Sequence, residues 1–248
     1  MQDIDQNSVG NVAESSTPRA FEVVLDHIEA LILDGSLGVG DRLPPERDMA
    51  AQLGVSRPAI REAIRTLEAQ GVLASHVGSG AQAGTHVIND RSQALARLLR
   101  LQVALAQFPL DEVMSTRITL ERANCGLAVQ NADDEELARL SELVRDMDDK
   151  RTTDDYNTLD TRIHIHIAEL GRNQLMVDLT GAIRESLRLP ILTAERQLEE
   201  WEAFRQKLQC EHDAITNAII ARDADLAADL MERHIRTAYE ELPLSVAH

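Results

Sequence analysis

The sequence predicts a mainly α-helical protein, with an N-terminal winged helix-turn-helix followed by an all-α bundle of seven helices. Aromatic residues make up 2% of the chain while hydrophobic residues make up 44%, so any core is aliphatic, and that composition favours helices. Apolar residues recur at helical spacing along most of the chain. The exception is a pair of short β-branched segments around a glycine-rich turn near residue 80, which is typical of a hairpin.

Three helices and this hairpin are expected within the first ninety residues. The segment 21–33 has apolar residues at helical spacing, and a second, short helix in "ERDMAAQLG" ends at Gly54. Ser56 is a suitable N-cap for a third helix that carries Pro58 in its first turn and Gly71 at its end. Three helices followed by a hairpin describe a winged helix-turn-helix domain, which we place at residues 19–88.

The remainder of the chain is expected to be helical. Residues 89–93 are interpreted as a linker, and residues 94–242 as the bundle. Breaks at a proline and at polar or acidic turns divide this half into seven helices, at about residues 91–107, 110–131, 133–150, 154–171, 173–196, 198–221 and 223–241.

Composition excludes several classes of protein. Residues 1–18 are polar and acidic, so they are interpreted as a disordered leader and not as a secretory signal peptide. No apolar run is long enough to span a bilayer, so we expect no membrane association and a cytoplasmic location, with both cysteines reduced. The net charge of −17 argues against nonspecific coating of nucleic acid, although it permits a specific DNA reader with a local basic face.

Such a face is predicted on the third helix. Arg57, Arg61 and Arg65 follow one another at intervals of four residues and share one face, while apolar residues occupy another. In a helix-turn-helix this helix enters the major groove, where arginine binds guanine edges or phosphates. A solvated arginine face is the alternative, and residues 19–90 hold ten acidic residues against six arginines.

A second cluster of interest lies in the helical half. Asp160 and His164 are four residues apart on one helix, and His212 and His234 lie on two later helices. Three neutral imidazoles and one carboxylate suit a divalent metal ion, with zinc as the first choice and nickel or manganese as alternatives. A buried or exposed histidine without any metal is the alternative for each. His166 lies about 200° round the helix from His164 and is predicted to be a bystander.

The stretch "GDRLPPERDMAAQLGVSRPAIREAIRTLEAQG" closely resembles the DNA-binding domain of the GntR family. Pro45 and Met49 are mild departures from its signature, and the wing is longer than usual. The resemblance implies contacts with double-stranded operator DNA from arginines in and before the third helix, from its first residues and from the wing. The implied residues are Arg42, Arg47, Ser56, Arg57, Arg61, Arg65 and Gly80.

Residues 91–241 are similar to the FCD ligand-binding domain of the FadR-type branch of that family. Asp160, His164, His212 and His234 match its metal-binding pattern, while Ile163 stands where the family usually has an aromatic residue. The resemblance also implies effector contacts from Arg117, Glu121 and Asn173. The alternatives are a surface Arg117–Glu121 pair and a capping role for Asn173. Arg184 and Arg188 are interpreted as solvated, with contacts to the ligand as the alternative.

These expectations combine into a metabolite-responsive regulator. It would bind a pseudo-palindromic operator as a homodimer, act as a repressor, and respond to a small carboxylate effector at the metal. The overall layout is similar to actinobacterial regulators of lactate utilisation, so lactate or a related 2-hydroxy acid is the leading effector. Glycolate, gluconate-type sugar acids and dicarboxylates follow as alternatives. Two alternatives stay open, a structural metal without an effector and a metal-dependent hydrolase. The hydrolase is disfavoured because Glu211, its only candidate base, is predicted to face away from the metal.

Overall fold

The structure is a computed structural model that describes residues 19–76, 78, 83–88, 91–105, 107–148 and 152–244, without the side chains of residues 91 and 92. Ten α-helices and one two-stranded sheet occur in these ranges, so the prediction of a mainly α-helical chain is confirmed. The chain separates between residues 89 and 90 into two compact units, which are described in turn. The predicted leader, residues 1–18, lies outside the described residues.

The first unit contains the three predicted helices and the hairpin. These are α1 (Ala20–Leu33), α2 (Glu46–Leu53), α3 (Arg57–Ala69), β1 (Leu73–His76) and β2 (Gly84–Val87). The strands pair antiparallel, with Leu73 opposite Val87. The core of this unit is aliphatic, because α1, α2, α3 and both strands bury leucine, isoleucine, valine, methionine and alanine side chains.

The turn between α2 and α3 is set by local chemistry. Gly54 ends α2 with φ +65°, a left-handed conformation that glycine adopts without steric cost. Ser56 then caps α3, because its Oγ accepts a hydrogen bond from the Ala59 amide at 3.4 Å, and Pro58 occupies the first turn as predicted. The apolar face of α3, which includes Ile60, is buried, so the arginines are left on the opposite, outer surface.

The second unit contains the seven predicted helices, with ends that differ by a few residues. They are α4 (Arg91–Ala104), α5 (Leu110–Asn131), α6 (Asp134–Asp148), α7 (Thr153–Leu170), α8 (Gln174–Glu195), α9 (Trp201–Ile220) and α10 (Ala224–Glu241). Among the later helices, the start of α9 differs most, since the sequence predicts it near residue 198. The segment 196–200 instead forms a turn after the C-terminus of α8.

The bundle has an aliphatic core that encloses polar groups. Leucine, isoleucine, valine, methionine and alanine from α5 to α10 fill most of it. Buried among them are ionisable side chains that a packed core excludes unless they are paired: Arg117, Glu121, His164, Arg184, His212 and His234. Cys125 is buried and Cys210 exposed, and both are free thiols. Within the described ranges, no helix combines the length and apolar character needed to cross a membrane.

Candidate functional site

The predicted metal ligands come together in the interior of the bundle. Asp160 and His164 project from α7, His212 from α9 and His234 from α10, and one ligand atom from each lies within 4.8 Å of all the others. The three histidines are 1–2% exposed. Three separate helices therefore bring four donor groups to one point, although the sequence separates them by up to 74 positions.

The distances within this cluster match the coordination sphere of a small divalent cation. His212 Nε2 lies 3.3 Å from His164 Nε2 and 3.2 Å from Asp160 Oδ1. His164 Nε2 and the same Asp160 oxygen are 3.7 Å apart. Ligand bonds of about 2.0–2.1 Å to a tetrahedral ion would separate neighbouring donor atoms by about 3.4 Å. Asp160, His164 and His212 therefore fit such an ion in both donor type and spacing, and His234 offers a fourth donor atom within 4.8 Å of the others.

The protonation states favour a cation as well. Burial lowers the pKa of His212 and of His234, so both imidazoles are neutral and have a lone pair to offer. Burial alone would raise the pKa of Asp160, but the Arg184 guanidinium and hydrogen bonds from His164 and His212 outweigh it, and the pKa lies well below its ordinary value. His212 and His234 thus present neutral nitrogens, and Asp160 presents an ionised carboxylate, at neutral pH.

Two of the histidines pair with carboxylates through Nδ1, the ring nitrogen that is not directed at the cluster. Glu121 bonds to Nδ1 of His164, and Glu211 Oε2 lies 3.0 Å from Nδ1 of His234. Each pairing leaves Nε2 of the histidine for the cluster and fixes the orientation of the ring. Nδ1 of His212, in contrast, has no hydrogen-bond partner among the described residues. The prediction that Glu211 does not point at the metal agrees with this position behind His234.

Glu121 is also the centre of a buried ion-pair network. Its Oε1 accepts from Arg117 Nε at 2.7 Å and from Arg184 Nη1 at 3.0 Å, and Arg184 Nη2 bonds in turn to Asp160. Arg117 and Glu121 are 5% and 2% exposed, so the alternative of a surface pair is wrong. The solvated interpretation of Arg184 is also wrong, because this side chain is buried between Glu121 and Asp160.

Other predicted residues lie away from the cluster. Asn173 is exposed at the N-terminus of α8, where its side-chain oxygen accepts from the Met176 amide at 3.3 Å, so the structure shows the capping role, and the effector contact stays a prediction. His166 pairs with Glu169 at 3.1 Å outside the cluster, as expected of a bystander.

The arginines of α3 are arranged around a carboxylate. Arg61 Nε donates to Glu46 Oε2 at 2.8 Å, and Arg57 Nη2 lies 3.7 Å from the same oxygen. Their side chains remain 53% and 58% exposed, so they are held in position and still accessible. Arg65 is exposed two turns beyond Arg57 on the same face.

The remaining predicted DNA contacts also lie on the exterior of the first unit. Arg42 is exposed, and its guanidinium lies against Gly84, the first residue of β2. Arg47 is exposed and pairs with its neighbour Asp48 at 3.2 Å, while Ser56 is occupied by capping α3. Gly80 lies outside the described residues.

Sequence reasoning did not find the positions that three charged residues take around the cluster. Arg184, Glu211 and Glu195 carry no motif of their own, and their roles depend on which helices pack together. Glu211 had a weak signal, since it precedes a predicted ligand in the chain. Asn157, one turn before Asp160 on the same face of α7, had a similar signal.

An exterior arginine face on a helix-turn-helix, joined in one chain to a helical bundle with an interior cluster of possible metal ligands, is typical of a ligand-responsive DNA-binding protein. Comparisons with known proteins agree. Residues 21–82 match the gntR family of bacterial regulatory proteins, and residues 112–237 match the FCD domain. The chain therefore belongs to the GntR family of transcriptional regulators, in the branch that carries an FCD domain, and the predicted resemblance is confirmed.

Several relatives share this architecture along most of their length. A candidate regulator of the L-lactate dehydrogenase operon of Escherichia coli K12 is 28% identical over 220 residues, which cover 88% of this chain and 84% of that protein. The Glc operon transcriptional activator of the same organism is 26% identical over 227 residues, 89% of this chain and 88% of its own. The solved structure of a Streptococcus agalactiae GntR protein has a TM-score of 0.62 and 25% identity, covering 89% of this chain and 99% of that one.

Membership of this family decides between classes of function. These proteins are transcriptional regulators and not enzymes, so the hydrolase alternative is wrong. The GntR domain implies that DNA is one partner, and the FCD domain implies a small-molecule effector.

Proposed function

We propose that the protein is a metal-dependent, carboxylate-responsive repressor that binds a pseudo-palindromic operator as a homodimer. The observation that carries this proposal is the buried set of four donor groups, Asp160, His164, His212 and His234, at the spacing of a cation's ligands. The chemistry of these donors favours zinc, with nickel or manganese as alternatives. When bound, such an ion supplies a buried positive charge to which oxygen ligands can coordinate.

The charges in the bundle support an anionic effector. The carboxylates of Glu121, which is buried, and of Asp160, whose side chain is 16% exposed, are balanced by two buried guanidiniums, Arg117 and Arg184. A divalent ion therefore adds positive charge that this network does not neutralise, and a buried unbalanced charge is costly. A small carboxylate would restore the balance in the same cavity.

Arg117 is the proposed anchor for that carboxylate. Its hydrogen bond to Glu121 uses Nε, and neither terminal nitrogen makes a hydrogen bond within the described part of the chain. The two terminal nitrogens form the planar fork that binds a carboxylate bidentately. Glu121 would then link the effector to the metal, since it contacts Arg117 on one side and His164 on the other.

Short hydroxy acids are the proposed effector class, with lactate as the first example. Such acids offer a carboxylate and a hydroxyl as paired oxygen ligands. One relative is named as a candidate regulator of an L-lactate dehydrogenase operon, and this supports the same chemistry. Asn173 is exposed and caps α8, so it is not among the proposed effector contacts. Arg117 is the proposed direct contact, and Glu121 would act through its hydrogen bond with Arg117.

For DNA, we propose that residues 19–88 read one operator half-site and that residues 94–242 form the effector domain. Arg57 and Arg61 would contact bases or phosphates in the major groove, with Arg42, Arg47 and Arg65 contributing contacts nearby. A homodimer would read two half-sites related by its two-fold axis. We propose repression and not activation, because a protein that covers an operator blocks transcription without contacting the polymerase. Such a regulator would work in the cytoplasm.

The proposal is tested by metal and acid binding. Zinc affinity is measured by calorimetry on the full chain and on two matched variants, His212→Ala and His166→Ala. We expect His166→Ala to bind like the parent and His212→Ala to lose most affinity. The zinc-loaded parent is then screened by thermal shift against lactate, glycolate, gluconate and small dicarboxylates. If no acid raises its melting temperature, the effector part of the proposal fails.

A structural metal without an effector is the second candidate. It is favoured by the depth of the cluster, whose histidines are at most 2% exposed. On this alternative, zinc would stabilise the bundle and no acid would add to that stabilisation.

A further inference from the structure

We propose that Asn157 and Glu195 form a hydroxyl-recognition subsite beside the cation cluster, so that the effector carries a hydroxyl group beyond C2. This inference rests on the proposed function and narrows its effector class, from short hydroxy acids in general to dihydroxy and polyhydroxy acids.

Asn157 lies on the stripe of α7 that faces the cluster. Asn157, Asp160 and His164 are at positions i, i+3 and i+7, which share one face of a helix. Asn157 lies about 4.5 Å along the helix axis from Asp160, a distance of two to three carbon–carbon bonds. Its side chain is buried, with 4% exposed. A ligand whose oxygens coordinate a cation at Asp160 would therefore reach Asn157 through its next carbon atoms.

Glu195 faces Asn157 from the neighbouring helix. The Asn157 amide donates to Glu195 Oε2 at 3.3 Å, and Glu195 is 5% exposed. Arg184, Leu187, Ile191 and Glu195 follow one another at helical spacing, so Glu195 shares the inner face of α8 with the residue that pairs with Asp160.

Both groups have hydrogen-bonding capacity to spare. Oδ1 of Asn157 is buried and accepts no hydrogen bond from any residue that the structure describes. Burial, together with the nearby Asp160 charge, raises the pKa of Glu195 to about 8, so this carboxyl carries a proton at neutral pH and can donate it. One group thus offers an acceptor and the other a donor.

A hydroxyl group is the ligand group that satisfies both at once. It donates to Asn157 Oδ1 and accepts from the Glu195 carboxyl, whereas a methyl group would leave the buried oxygen without a partner. A second carboxylate would lie near Asp160, and Arg184 is already bonded to Glu121 and Asp160. The subsite therefore favours an extra hydroxyl over both a methyl group and a second carboxylate.

The test compares two acids that differ by one hydroxyl. Calorimetry on the full-length, zinc-loaded chain measures 2-hydroxybutyrate and 2,3-dihydroxybutyrate against the parent and four variants: Asn157→Leu, the smaller Asn157→Ser, Glu195→Gln and Asn124→Leu. Asn124 is a matched control, because it is also buried, donates to Thr180 Oγ1 at 2.9 Å and has an unpartnered Oδ1 among the described residues. Melting curves check that each variant folds.

We expect the parent to bind the dihydroxy acid at least about tenfold more tightly, the effect of one or two buried hydrogen bonds. Asn157→Leu and Asn157→Ser should lose this preference and keep the affinity for 2-hydroxybutyrate, while Glu195→Gln and Asn124→Leu should retain it. Equal binding of both acids by the parent would overturn the subsite. A preference for the dihydroxy acid that persists in Asn157→Leu or Asn157→Ser, or that is lost in Asn124→Leu, would overturn it as well. Failure of both acids to bind the zinc-loaded parent would instead overturn the proposed function.

Discussion

Glu121→Ala is expected to destabilise the metal-free bundle strongly. Glu121 is 2% exposed and contacts Arg117, Arg184 and His164, so its removal leaves two buried guanidiniums without their shared carboxylate. Breaking a buried ion pair by removing one partner costs about 3–5 kcal/mol. In a bundle of this size, that loss corresponds to a fall in melting temperature of about 6–20 °C.

The matched control lies one position further along the same helix. Arg122 pairs with Asp229 and Glu232, but its side chain is 34% exposed, so Arg122→Ala should cost no more than about 1 kcal/mol. Both variants are melted in the presence of a chelator, with circular dichroism as the signal. If Glu121→Ala loses no more stability than Arg122→Ala, Glu121 is not the centre of a buried ion-pair network.

Three further predictions follow from the structure. Gly84→Ala should destabilise the first unit and weaken operator binding, because φ is +126° and a Cβ would lie 2.4 Å from Arg42 Nε. Gly126→Ala lies inside α5 with open space around it and should not destabilise the bundle, because alanine favours a helix more than glycine does. Melting and anisotropy titration measure both variants. Arg61→Ala should weaken operator binding about 5- to 150-fold and leave the melting of the bundle unchanged, and unchanged affinity would refute its assignment. Because Glu195 keeps its proton in the folded state up to about pH 8, it makes the free energy of unfolding fall as pH rises from about 4.5 to 8. Glu195→Gln should therefore flatten this slope by up to about 1.4 kcal/mol per pH unit in metal-free protein measured by urea melts, and an identical slope would contradict the raised pKa.

The helices are well predicted from the sequence because their signals are local. Gly54, Ser56 and Pro58 set the turn before α3 through backbone conformation and capping, which depend only on neighbouring residues. Helical periodicity locates all seven bundle helices, and the errors lie at their ends. Helix ends are harder to predict because several local hydrogen-bonding patterns compete there.

The site is only partly predictable, because its outer groups depend on tertiary packing. The spacing of Asp160 and His164 is enough to place both side chains on one face of a helix. Whether Arg184 is solvated or buried depends on α8 packing against α5 and α7, and nothing in its local sequence indicates this. Asn173 shows the opposite case, in which a motif match implies an effector contact while local capping chemistry explains the residue.

The central claim is that a cation at the histidine cluster couples a small acid to DNA. The most direct measurement is operator affinity by fluorescence anisotropy, with and without 2-hydroxy acid, for the zinc-loaded chain, the chelator-treated chain and His212→Ala. We predict that the acid changes operator affinity at least about fivefold in the zinc-loaded chain and has no effect in the other two. An operator affinity of the zinc-loaded chain that does not change when the acid is added, or an acid effect that persists without zinc, would contradict this coupling.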